Sequence, residues 1–236
     1  MNLPISPNIK NALTHGHYEL RGQFMLGSNY TFLVDVHHED ETFQAVYKPS
    51  RGEQPLWDFP DNTLALREAA AYQLSEALGF HIVPFTVYRE DGPHGPGSLQ
   101  HYITYDIEYH YFNFSVEDKQ KLRPVALFDI LINNADRKGS HIFFEEKTQH
   151  LYTIDHGVCF HEEPKLRTVV WDFAGQAIPD DLLAPLSLTE NWSSLLEPYL
   201  SPQEIQALLV RARETLETKV FPLPIQGRRS FPYPPI

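Results

Sequence analysis

Apolar and polar residues alternate along three short runs near the N-terminus, 17–25 (HYELRGQFM), 30–37 (YTFLVDVH) and 43–50 (FQAVYKPS), separated by the breaks GSN and HEDE. A period of two puts successive side chains on opposite faces of a strand, so the three runs predict an antiparallel meander. The period changes after the loop 50–62. Leu64, Ala71, Leu74 and Leu78 fall at helical spacing within 63–80, with Asn62 or Thr63 as the N-cap and Gly79 just past the end, which predicts one long helix. Residues 81–105 return to strand character around a Gly/Pro turn. The chain up to Ile103 therefore reads as a small sheet carrying one helix.

Composition shifts near Tyr105. Segment 116–134 (VEDKQKLRPVALFDILINN) reads as a single buried helix, and two strand-like runs, IFF and LYTI, follow with a short polar insert between them. Residues 201–221 predict an amphipathic helix opened by Ser201 and Pro202, and the Pro-rich tail 222–236 predicts little regular structure. No internal repeat is present. The pattern gives an α+β chain in two parts, 1–103 with the sheet and 104–236 mainly helical.

A chain of 236 residues with 42% hydrophobic and 13% aromatic content is able to bury a sizeable core. Its 19 basic against 31 acidic residues give a formal charge of -12, which argues against nucleic acid as a partner, since phosphate backbones are held by clustered Lys and Arg. Cys159 is the only cysteine, which rules out an intrachain disulfide and a thiolate metal site within the chain and points to a cytoplasmic setting. No run approaches the roughly 20 apolar residues of a membrane-spanning helix, so no membrane insertion is expected.

The chemistry concentrates at the two strand-like runs. Asp136 follows the apolar helix, His141 comes five positions later, just before IFF, and Asp155 ends LYTI. Such a hairpin aims three side chains at one volume, as phosphoryl transfer from a nucleotide requires: one carboxylate for the attacking hydroxyl and two ligands for a divalent metal. Lys48, at the end of a strand run, would reach phosphate oxygens, and Glu68 on the following helix would hold it, with Glu76 as a rival. In LGSNY, Gly27 permits close backbone approach and the amides of Ser28 and Asn29 would meet a phosphate, although a plain hairpin turn explains the same residues. Aspartate is an ordinary turn residue. The ordered company of Lys48 and Glu68 is what singles out Asp136 and Asp155. A metal hydrolase is disfavoured, because His156 and His161 lack the i, i+4 spacing of a zinc-binding helix. Cys159 reads as an inert buried thiol, and Trp57, Trp171 and Trp192 read as core.

The order GSN, AVYKP, RE on a helix, NNADRKGSH and IDHG resembles the phosphatidylinositol 3-/4-kinase-like branch of the protein-kinase-like superfamily, whose small bacterial version is also related to HipA-type kinases. Asp136 and Arg137 match its D-R pair, and Asp155 and Gly157 its D-x-G. The resemblance implies a two-lobed kinase fold, ATP between the lobes, Mg²⁺ or Mn²⁺ on Asp155 and His141, and adenine against backbone groups of Gln100, His101 and Tyr102. The chain departs from the family pattern at three positions: His141 stands for the metal-binding Asn, Lys138 for a histidine after D-R, and His156 for the Phe of D-F-G. The function implied is transfer of the γ-phosphoryl group of ATP to a hydroxyl of a small-molecule or protein acceptor, with Lys165 and Arg167 near the acceptor. The alternatives are a nucleotide-binding pseudokinase and an AMP transferase on the same fold.

Overall fold

The structure is a computed structural model and describes residues 5–24, 30–227 and 229–236. Five antiparallel strands, β1 (His17–Gln23), β2 (Phe32–His38), β3 (Glu41–Pro49), β4 (Thr86–Gly92) and β5 (Gly95–His101), form one sheet in the order β1-β2-β3-β5-β4. Its two faces carry different residues, as the alternation requires. Val34, Val36, Ala45, Tyr47 and Leu99 pack on Ala12 and Leu13 of helix α1 (Pro7–His15). The sequence pattern did not reveal α1, a short helix whose Ser6 cap accepts the Asn8 amide and whose first position is Pro7.

Helix α2 (Leu64–Ala77) lies across the other face and buries residues all round its circumference, Arg67 and Glu68 among them. Its N-terminus is capped from a distance. The Glu53 carboxylate accepts the amides of Leu64 and Ala65 at 3.1 and 2.9 Å, while the Thr63 hydroxyl donates to Pro60 and caps nothing. Gly79, at φ +68°, ends the helix as expected.

The stretch 116–134 is two helices, α3 (Val116–Gln120) and α4 (Arg123–Ile132), not one. Pro124 sits in the first turn of α4, where its missing N–H costs nothing, but it cannot continue a helix from α3. α4 is the buried axis of the helical part, packed with the short α5 (Asp180–Leu183) and α6 (Trp192–Leu196) and with the apolar side of α7 (Pro202–Thr218). Ser201 and Glu204 form a capping box at the start of α7. Strands β6 (Ile142–Phe144) and β7 (Leu151–Thr153) make the expected hairpin between α4 and α5. Among the described residues no helix is long and apolar enough to cross a membrane.

The tail has little regular structure, yet it docks. Pro235 accepts the Gly139 amide at 2.8 Å, and the Ser230 carbonyl accepts from the Thr168 amide and the Trp171 indole, both at 3.1 Å. Trp192 is core, but Trp57 is 93% exposed, contrary to expectation, because the loop carrying it lies on the surface with Lys165 5.1 Å from its ring centre.

Candidate active site

Lys48 leaves β3 on the face that carries Val46, and its Nζ lies 2.5 Å from Glu68 Oε1 and 3.0 Å from Asp155 Oδ1. Burial opposes the lysine's charge, but Asp155 and then Glu68 outweigh it and raise its pKa. Lys48 is in turn the main reason that Asp155 is held far below the usual carboxylate range. Glu68 uses its second oxygen to accept the His156 amide at 3.1 Å, so one carboxylate grips both the lysine and the backbone after Asp155. Glu76, the rival, pairs instead with His81 at 2.8 Å.

Glu68 stays put because α2 is anchored at its neighbour. Arg67 is buried, donates to the Cys159 carbonyl at 2.7 Å, ion-pairs with Glu204 of α7 and lies 4.9 Å from the ring centre of Phe59. Cys159 itself is a buried thiol whose pKa burial pushes up, which fits the inert reading.

A second buried arginine aligns the two acidic loops. Arg137 donates through Nε to Asp129 at 3.0 Å and through Nη1 to the carbonyl of Ile154 at 2.7 Å, tying the loop of Asp136 to the residue before Asp155. Asn134 and Thr168 complete the shell around Asp129, and Asn134 Oδ1 accepts the Asp136 amide at 2.9 Å. Asp155 is at φ +63°, a conformation that aspartate tolerates better than most residues. Asp136 faces the same cleft. Burial raises its pKa, opposed by Lys138, whose ammonium is 3.4 Å away, and by Arg167. In the sequence Lys138 stood out only as a departure from the family pattern, in place of a histidine after D-R.

His141 places Nε2 3.3 Å from Asp155 Oδ2, and its Nδ1 faces the Lys138 amide at 3.4 Å, which leaves the ring proton on Nε2. Burial holds its pKa down to about 4, so the ring is neutral. Among the described residues no group of three or more His, Cys, Asp or Glu side chains converges as a metal cage. A carboxylate plus an imidazole still suits a cation whose other ligands come from substrate phosphates and water.

These groups line one end of a cleft of about 500 Å³, a volume in the range of small-molecule sites. The other end is apolar, with Val46 from the sheet and Phe143 and Ile154 from the hairpin region, Phe143 stacking on Tyr105 at 3.8 Å. β5 lies between β3 and β4, so the amides at its end are largely taken within the sheet. The amides of His101 and Tyr102 are taken by the carbonyls of Phe85 and Gln44, at 2.8 and 3.1 Å, and the next amide, that of Ile103, has no partner among the described residues. Gly27, Ser28 and Asn29 lie outside the described residues. Lys165 is not free for an acceptor, because Asp58 holds its ammonium at 2.9 Å.

A lysine on an antiparallel sheet, held by a glutamate of the helix packed on that sheet and meeting an acid from a β-hairpin beside a second acid in one cleft, is the arrangement of the protein-kinase-like class of folds. Two solved structures agree: the proinflammatory kinase CtkA of Helicobacter pylori, with a TM-score of 0.54 at 13% identity over 88% of this chain and 94% of that one, and hydra Fam20 solved with sugar, with a TM-score of 0.58 at 15% identity over 91% and 90%. At those identities the likeness is one of fold. The model of the phosphatidylinositol 3- and 4-kinase family matches residues 95–220, and Mycobacterium tuberculosis protein Rv2133c is 37% identical over 94% of both chains. The chain belongs to the phosphatidylinositol 3- and 4-kinase family, and its fold and family are those of kinase-type phosphotransferases.

Proposed function

We propose that this chain is an ATP-dependent kinase that transfers the γ-phosphoryl group to a hydroxyl of a small-molecule or protein acceptor. The observation that carries the reading is Lys48 bridging Glu68 and Asp155 at the end of the cleft that Asp136 also lines. In this reading residues 1–103 form the lobe over the nucleotide and 104–236 the lobe beneath it. Adenine lies between Val46 and Phe143 with Ile154, and the Ile103 amide donates to a ring nitrogen. Lys48, fixed by Glu68, grips the phosphates.

Asp155 with His141 would hold the divalent ion, which when bound neutralises charge on the phosphates. As a ligand, His141 would need its proton on Nδ1, and nitrogen suits Mn²⁺ better than Mg²⁺. Asp136 orients the acceptor hydroxyl and takes its proton as the new oxygen–phosphorus bond forms and the bond to the β-phosphate oxygen breaks, releasing ADP. The Lys138 ammonium beside Asp136 faces the charge of the transferred group.

The test is Asp136→Ala. Turnover is lost while ATP still binds, in a screen of hydroxyl acceptors with Mg²⁺ and with Mn²⁺; parental activity in the variant rejects the assignment. The inward-facing Nε2 proton of His141 favours one second reading, a nucleotide-binding protein without turnover. Nucleotide binding with no transfer under either ion supports it, and mass spectrometry of the incubated chain and acceptors separates a phosphoryl adduct from an adenylyl one.

A further inference from the structure

The register of the sheet fixes which side chains face the nucleotide cleft. Gln100 is paired with Val46 of β3 on one side and Thr86 of β4 on the other. Directly paired residues project from the same face, so Thr86, Gln100, Val46 and, two residues on, Lys48 share the cleft side. The Gln100 side chain is only 5% exposed and lines the cleft wall.

Its amide has one permitted orientation. The Thr86 hydroxyl has a single proton, which it donates to the Pro84 carbonyl at 2.8 Å. Toward Gln100, 2.8 Å away, Thr86 therefore offers only a lone pair, and Gln100 must present Nε2 to it. The carbonyl oxygen Oε1 is turned the other way. Among the described residues no donor meets Oε1, and it is not one of the sealed, unpartnered atoms (Tyr18 Oη, Ser50 Oγ, Arg137 Nη2, His156 Nδ1 and Arg211 Nη2), so its lone pairs open to the cleft.

We infer that Gln100 Oε1 reads position 6 of the bound purine, accepting a hydrogen bond from the exocyclic amine of adenine and opposing the carbonyl oxygen of a 6-oxopurine. The inference rests on the proposal that the base lies in this cleft. The discrimination comes from a locked acceptor. Turning the amide to favour a 6-carbonyl would set Oε1 against Thr86 Oγ1 and force that hydroxyl off Pro84, so the site cannot adapt cheaply to the wrong base. Thr86, out of reach of the base, is a positioning residue for this selection.

The experiment is equilibrium competition of ATP and inosine triphosphate against a fluorescent ATP analogue, on the wild-type chain and on Gln100→Met and Thr86→Val, both near in volume to the native residues. Gln100→Met is expected to narrow the ratio of ATP to inosine triphosphate affinity by about tenfold, mostly by weakening ATP. Thr86→Val narrows it in the same direction, because the freed amide can turn and inosine triphosphate gains. Thermal unfolding shows which variants are folded, and an unchanged ratio in either folded variant overturns the inference. If the wild-type chain binds neither nucleotide, the proposed function itself fails, a distinct outcome read before any variant is made.

Discussion

The ammonium of Lys48 lies 3.0 Å from Asp155, 107 positions further along the chain, while it holds Glu68 at 2.5 Å. Glu68 is 3% exposed, so removing its cation strands a buried carboxylate. Lys48→Met is expected to destabilise the chain by about 3 kcal/mol in urea unfolding and to lower phosphoryl transfer at least ~100-fold. Adding Glu68→Gln restores part of the stability and none of the transfer. A single variant as stable as wild type would show that the pair contributes nothing to the fold.

Helix α2 is tied to α7 through Arg67 and Glu204, both largely buried. Glu204→Gln removes the negative charge that faces the buried Arg67 and leaves it neutral partners, the Cys159 carbonyl, the Thr63 hydroxyl and the Phe59 ring among them. The expected cost is about 2–3 kcal/mol, with faster hydrogen exchange of the α2 amides around Glu68. Unaltered exchange there would mean that α2 is held by apolar packing alone.

Asp136 owes its raised pKa first to burial, and Lys138 pulls it back down. If Asp136 takes the acceptor proton, kcat/KM rises with pH through that pKa, above the ordinary aspartate value of about 4. Removing Lys138 takes away a group that lowers the pKa, so Lys138→Met moves the acid limb to higher pH. A pH–rate profile checks the direction; a limb that stays put or moves down removes Asp136 from the role.

His156 is buried, with Nε2 3.2 Å from the Thr153 hydroxyl and Nδ1 without a hydrogen-bond partner among the described residues, 3.9 Å from Glu68. Burial keeps its pKa well below the ordinary value of 6.5. The unfolded chain takes up a proton near pH 6.5 and the folded chain does not, so stability present above that pH falls as the solution is acidified toward the folded pKa. His156→Phe removes both the orphaned nitrogen and this linkage. Denaturant midpoints across pH 5 to 8 are expected to be at least as high as wild type at neutral pH and flatter toward acid.

His141 in place of an oxygen ligand makes ion preference measurable. Transfer by the wild-type chain is expected to be faster with Mn²⁺ than with Mg²⁺, and His141→Asn to shift the ratio toward Mg²⁺. An identical ratio in both would place His141 outside the ion's ligands.

Much of this architecture was legible in the linear chain, because period-two and period-3.6 patterns, caps and turn residues are local. The strands bearing Lys48 and Gln100, the helix bearing Glu68, the hairpin between Asp136 and Asp155 and the break at Gly79 all follow from neighbours a few positions away. The resemblance to the kinase-like family rested on the order of those islands. Other features depend on partners far along the chain. Glu53 rather than Thr63 caps α2, Arg137 fastens Asp136's loop to Ile154, Asp58 occupies Lys165, and the Pro-rich tail reaches Gly139. A side chain's local pattern states whether it is buried or exposed, but not which of many distant donors and acceptors it meets. That choice is made when the sheet and the helical part pack, since buried polar groups must then find partners wherever the fold brings them. The sequence by itself determined the strands of the sheet, the long helix after them, the hairpin and the last helix, in that order, while α1 and the break between α3 and α4 came only with the structure; only the tertiary structure decided which way the Gln100 amide points and which amide along the cleft edge is left free, because both depend on hydrogen bonds already taken by residues from other strands.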